Sequence, residues 1–145
     1  MLDVKLAFDI LAFVSVMVLI VMGLGVIASM MGVFNFAHGE FVMLGAYTVF
    51  AVQEAGAPSW AGILAAPLVL ACLGLALERL VVRRWYAAPI IAMLGTFAIG
   101  LVIRETVRGL LGGHYKSIEE PVRGSFALGG VEFSWWRTVI IFVTA

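Results

Sequence analysis

Polar residues in this chain come in clusters, and the gaps between the clusters are long and apolar. Residues 10 to 34 carry no charge, which is roughly 37 Å of helix at ~1.5 Å per residue. Crossing a bilayer takes about 20 apolar residues, so this run predicts one full span. Residues 59 to 77, "SWAGILAAPLVLACLGLAL", predict a second span, and residues 87 to 103, "AAPIIAMLGTFAIGLVI", a third that needs help from its flanks. Residues 138 to 145, "TVIIFVTA", begin a further apolar run. The stretch "FVMLGAYTVFAV", residues 41 to 52, is too short to cross alone. It becomes a near-complete crossing only if its helix starts within "NFAHGE", residues 35 to 40. That pattern predicts a broken or re-entrant helix, which a membrane tolerates only where protein or water satisfies the freed backbone groups.

The connections carry their own signals. "QEAGAPS", residues 53 to 59, has turn chemistry in Gly56, Pro58 and Ser59 and reads as a short loop. "ERLVVRRWY", residues 78 to 86, holds Arg79, Arg83 and Arg84, and by the positive-inside tendency it is expected on the cytoplasmic side. Residues 53 to 59 are then external, residues 34 to 40 face the cytoplasmic half, and the N-terminus lies outside. The stretch from Arg104 to Arg137 is external in the same scheme, although Arg104, Arg108, Lys116, Arg123 and Arg137 all fall in it. Within it, Phe126, Leu128, Val131 and Phe133 alternate around Gly129 and Gly130, the pattern of a two-residue hairpin. An isolated hairpin is marginal and must pack on something. Trp135 and Trp136 followed by Arg137 suit a membrane interface ahead of the next span.

Composition narrows the class. The chain is 63% hydrophobic and 12% charged, with a mean hydropathy of +1.12, whereas soluble domains run near 45–50% apolar and about 25% charged. Its polar groups could not cover a surface in water, so a bilayer is the expected surrounding. The formal net charge is +0 and there is no basic run, which gives a nucleic-acid partner no electrostatic support. The N-terminal "MLDVKLAFDI" lacks the basic leader and short apolar core of a cleaved signal peptide, so the first span is expected to stay. Cys72 is the only cysteine; it cannot form an intrachain disulfide and is expected to be a small interior hydrophobe. Together these features predict an all-α fold: a polytopic transmembrane helix bundle, with a broken helix near residues 35–40 and a small external β-hairpin near 124–134.

Ionisable groups at membrane depth cost on the order of 2.5–3.5 kcal/mol at a helix centre, so they tend to face an interior or a cavity. His38 and Glu40 are the candidates. Asn35 can accept a backbone N–H as the N-cap of the helix running toward Val52, Glu40 in the first turn suits the positive end of the helix dipole, and Gly39 offers freedom where the backbone bends. On physics alone two readings stand side by side. Asn35, His38 and Glu40 either cap a helix and tie a turn, or line a pathway. Elsewhere the bland reading leads. Gly25 with Ser29, Ala28 with Gly32, Ala61 with Ala65 and Gly62 with Ala66 fit tight helix packing within one subunit. Pro67 and Pro89 kink or start helices. Glu78 with Arg79, and Arg104 with Glu105, read as solvated or snorkelling charges at helix ends. Motifs for chemistry are missing: there is no GxxxxGK[ST], no HExxH, no GxSxG and no cluster of Cys with His. The chain is therefore not expected to be an enzyme, to bind a cofactor or to hold a metal.

"GVFNFAHGEFVMLGAY", residues 32 to 47, strongly resembles the N-terminal signature of the high-affinity branched-chain amino acid ABC transporter permeases, with the urea and amide permeases as close relatives. Asn35, Phe36, Ala37, His38, Gly39, Met43, Gly45 and Tyr47 fit that pattern. "LERLVVRRWY", residues 77 to 86, resembles the family's Glu-Arg-containing loop, and "MLGTFAIGLVIRETVRGLLGG", residues 93 to 113, its following helix. "GSFALGGVEFSWWR" looks like the external hairpin before the next span. The resemblance runs from about residue 20 to the end.

The resemblance implies a multi-pass subunit of the bacterial inner membrane, belonging to an ATP-driven importer and similar in fold to the vitamin B12 and ribose importers. It implies partners: a second permease subunit, usually non-identical, two cytoplasmic ATPases, and a periplasmic binding protein that delivers leucine, isoleucine, valine or a related small amide. ATP hydrolysis would be the work of the ATPase subunits. A full member is about twice this length, so residues 1–145 are expected to be the N-terminal portion of a single permease domain, without the loop that couples to the ATPase. Asn35, Phe36, Ala37, His38, Gly39 and Glu40 are the expected pathway or gate residues. A passive channel is the reading from a different class. An "NxA" step opening a half-helix has a superficial likeness to aquaporins, but that fold needs two such motifs and one occurs here. An intramembrane enzyme using His38 and Glu40 finds no nucleophile or metal partner at usable spacing.

Overall fold

A computed structural model describes residues 2–32, 34–85, 87–112, 117–122, 124–128 and 131–144. Five α-helices follow one another: α1 (Leu2–Met31), α2 (His38–Glu54), α3 (Ser59–Leu80), α4 (Pro89–Leu111) and α5 (Trp135–Thr144). A 3-10 turn, Val82–Trp85, joins α3 to α4, and the strands β1 (Ser125–Leu128) and β2 (Val131–Ser134) precede α5. Among the described residues the fold is all-α apart from that hairpin, and three helices are long and apolar enough to cross a membrane, over Val4–Met30, Ser59–Leu80 and Pro89–Leu111. The first starts well before the uncharged run, because Asp3, Lys5 and Asp9 are accommodated in the first turns of α1.

The chain divides into two compact units, one of Met1–Gly25 with Glu120–Ala145 and one of Val26–Glu119, with α1 contributing to both. In the first unit the hairpin pairs antiparallel, Phe126 opposite Phe133 and Leu128 opposite Val131, which is the expected register; the expected turn at Gly129 and Gly130 lies outside the described residues. The hairpin finds its support in an aromatic stack. Phe133 is buried, meets Phe8 of α1 edge-on at 4.9 Å between ring centroids and stacks on Phe126 at 5.6 Å, while Trp135 covers Phe126 at 4.6 Å. Arg137 pairs with Asp9, which puts the start of α5 beside the N-terminal turns of α1.

In the second unit α2 and α3 form an antiparallel helical hairpin. Position 62 faces Val49, position 70 faces Gly45 and position 74 faces Phe41, so one helix descends as the other rises. The approach is close: a β-carbon at Gly62 would lie 2.9 Å from the Val49 Cα. Small residues allow this contact in lipid, where backbones gain by packing directly. The turn closes as a Schellman motif. Gly56 at φ 81 donates to the Gln53 carbonyl (2.9 Å), and the Ala57 N–H reaches the Val52 carbonyl (3.1 Å). Gln53 also donates to Ser59 Oγ (2.8 Å), and it pairs in both directions with the Glu119 backbone at 3.0 and 3.2 Å.

The other ends are built as their sequence suggests. Pro67 lies inside α3, where it removes the N–H that would bond back one turn. Pro89 occupies the first turn of α4, where its missing N–H costs nothing. Arg84 donates to the Leu80 carbonyl at 2.9 Å and so caps the end of α3. Cys72 departs from expectation: it is exposed on α3 rather than interior. Helix α3 is apolar all round, so no periodicity in the sequence separates its packed face from its outer face.

Candidate functional site: the break between α1 and α2 and the cavity beside it

The break falls slightly earlier than residues 35–40. Helix α1 ends at Met31; the N–H of the next residue, Gly32, still reaches the Ala28 carbonyl (2.9 Å) while its φ of 69 turns the chain out of the helix. Helix α2 has already begun at His38. The glycine that bends the chain is therefore Gly32, and Gly39 is an ordinary helical residue. Asn35 accepts a backbone N–H, but as an Asx turn to Ala37 (3.0 Å). The N-cap is Ala37, with no side-chain cap bond. Asn35 stands two positions before the N-cap, and its side chain satisfies the turn instead.

The broken backbone is well supplied with partners, as a membrane requires. The Phe36 N–H donates to Thr96 Oγ1 of α4 (3.2 Å), whose hydroxyl in turn donates to the Met93 carbonyl (2.9 Å). The His38 N–H reaches the Asn35 carbonyl (3.1 Å), and the Glu40 and Phe41 N–H groups share the Ala37 carbonyl (3.0 and 3.2 Å). Glu40 is 7% exposed, and its carboxylate pairs with Arg104 of α4. Among the described residues no buried side-chain nitrogen or oxygen lacks a partner. Arg104 is thus more than the solvated helix-end charge expected of it: it carries the counter-charge of Glu40.

These contacts fix the depth of the break. Thr96, Gly100 and Arg104 are spaced by four along one face of α4, and Gly100 is the middle residue of that 23-residue helix. A β-carbon at position 100 would lie 3.4 Å from both the Ala37 Cα and the Glu40 Cγ. The break therefore packs beside the centre of a membrane-length helix.

A cavity of about 500 Å³ lies on one side of the break, within the size range of small-molecule sites, ~300–1,000 Å³. Its wall takes Pro67 to Glu78 of α3, Ala92, Thr96 and Ile99 of α4, and Val82 of the 3-10 turn. It thus extends from the middle of these helices to the arginine-bearing connection, and Phe34, Asn35, Ala37 and His38 of the break region line it. The lining is mainly apolar, with Asn35, His38, Glu78 and Thr96 as its polar side chains. Of the expected pathway residues, Asn35, Ala37 and His38 line it, whereas Phe36, Gly39 and Glu40 do not. Phe36 is 58% exposed and Glu40 is turned to Arg104. Among the described residues no group of three His, Cys, Asp or Glu could hold a metal. What this arrangement offers is a shaped apolar space with a few fixed polar groups.

Thr96, Glu78 and Arg104 were not singled out as site residues by the sequence. A signal for Arg104 existed: a cation within a membrane-length helix calls for an anion at the same depth, and Glu40 was already in view.

Over residues 6–145 the chain matches the family described as the branched-chain amino acid transport system permease component, and it belongs to that family. A comparison with curated proteins finds no match, and one with solved structures finds none either. The chain is accordingly a permease component of a transport system and a membrane protein, which accounts for its three apolar helices.

Proposed function

We propose that this chain is the membrane-spanning permease subunit of an ATP-driven bacterial importer for branched-chain amino acids, and that residues 1–145 form the N-terminal portion of its membrane domain. It works in the inner membrane as a multi-pass protein, beside a second permease subunit, two cytoplasmic ATPases and a periplasmic binding protein. The observation that carries this reading is the family match across nearly the whole chain; the mainly apolar cavity bordered by the broken helix is the physical feature that suits it.

In this reading the arginine-bearing connection faces the cytoplasm, so the cavity is the inward half of the path and the break forms its roof. Asn35, Ala37 and His38 present the roof to the path, and Phe36 and Glu40 hold it in place. The apolar wall receives an aliphatic side chain, and the few polar groups orient the rest of the molecule. Binding-protein docking and ATP binding shift the bundle between outward- and inward-facing states through their different affinities for the two.

The test is uptake by the intact transport system with labelled leucine, challenged by unlabelled isoleucine, valine, urea and short amides. Competition by isoleucine and valine, together with loss of uptake when the ATPase partner is inactivated, is the expected result. Competition by urea or amides alone would move the substrate to that branch of the family. Uptake that continues without ATP hydrolysis would overturn the importer reading in favour of a passive facilitator.

A further inference from the structure

We propose that Arg104 is the positioning residue of the break: by pairing with Glu40 it clamps residues 36–40 onto the middle of α4, so that the roof of the cavity and α4 form one rigid body. What the clamp serves rests on the permease reading above; the clamp itself stands on its contacts.

Those contacts come at successive turns of a single face of α4. The Thr96 hydroxyl receives the Phe36 N–H at 3.2 Å. One turn on, Gly100 leaves room for Ala37, which is 2% exposed. A further turn on, Arg104 meets the carboxylate of Glu40. Hydrogen bond, close packing and ion pair thus fall in order along the helix, matched in the same order to Phe36, Ala37 and Glu40.

The ion pair is asymmetric in a way that assigns the roles. The Glu40 side chain is 9% exposed and that of Arg104 is 58% exposed. Glu40 sits largely buried in the first turn of α2, while a long arginine side chain can reach outward. Breaking such a pair strands the buried partner. The charge of Arg104 is therefore what makes the docked position of the break favourable. A residue that only filled space would need no charge.

The geometry supplies its own probe. A β-carbon at position 100 would stand 3.7 Å from the Ala37 Cβ, within the ~3.5–4.5 Å that a disulfide needs. The experiment uses the intact transport system carrying Ala37→Cys and Gly100→Cys with Cys72→Ser. It follows thiol labelling, membrane abundance and uptake before and after a mild oxidant.

The bond is expected to close, and the oxidised transporter to keep uptake within twofold of the reduced one. Adding Arg104→Gln is expected to slow closure at least tenfold at unchanged abundance, and Arg104→Lys to recover most of the rate. Failure of the bond to form, or equal rates with Arg104→Gln, would overturn the clamp. Uptake that stops on oxidation and returns with reductant would overturn the rigid body, because the break must then leave α4 during the cycle.

If the cysteine pair does not reach the membrane, the charge swap decides. Glu40→Arg with Arg104→Glu should exceed either single reversal in abundance and uptake, and a swap no better than the singles sinks the proposal. Should the unmodified system take up no substrate, the transport reading fails, while the dependence of closure on Arg104 still judges the clamp.

Discussion

Gly32 and Gly39 show at the scale of single residues how the break is made. A residue without a β-carbon is needed where φ is positive, and that condition holds at Gly32 (φ 69) but not at Gly39. A β-carbon at Gly39 would meet nothing within 4 Å, and within a helix alanine is favoured over glycine by about 1 kcal/mol. Gly39→Ala should therefore leave the thermal midpoint of the purified protein unchanged or raised by a few degrees. Gly32→Ala, forced into the left-handed region at roughly 1–2 kcal/mol, should lower it. The same melting measurement in detergent checks both. The opposite order would mean that the chain bends at Gly39 after all. Asn35, His38 and Glu40, so close in sequence, also part company here. Asn35 and His38 look into the cavity while Glu40 looks to α4, a division that follows from the start of a helix, where successive side chains point in different directions.

Among the elements, the α2–α3 hairpin is held by its closest approach. Gly62 has the Val49 backbone 2.9 Å from where its β-carbon would be, whereas a β-carbon at Gly25 would meet nothing within 4 Å. Gly62→Val should force the two helices apart at a cost of about 1–3 kcal/mol, seen as a lowered melting midpoint and reduced membrane abundance. Gly25→Val should spare both. Equal effects at the two sites would refute the close packing. These elements were legible in the sequence wherever run length alone decided: the spans of α3 and α4, the need for α2 to start within the polar stretch, and the pairing of Phe126 with Phe133. Legibility failed where contacts are long-range or where a helix is apolar on every side. Arg104 and Glu40 lie far apart in the chain, so no local spacing joins them, and Cys72 sits in a helix whose faces read alike. The true start of α1 was hidden because Asp3, Lys5 and Asp9 looked like a boundary, although Asp9 is matched by Arg137.

For the whole molecule, the family match covers residues 6–145, and the second unit holds a cavity beside the break. That space reaches from the arginine-bearing connection to the middle of α3 and α4, and Asn35, Ala37 and His38 line it. Cavity residues Ala71 and Ala92 come from different helices and are small, so a cysteine at either reports on the space without filling it. We propose that the transported substrate occupies this cavity. The most direct measurement is the rate at which a membrane-permeant thiol reagent labels Ala71→Cys, with Cys72→Ser, in the intact transport system, with and without a saturating concentration of the substrate that uptake identifies. Substrate is expected to slow labelling at position 71 at least fivefold. Identical rates with and without substrate would contradict it.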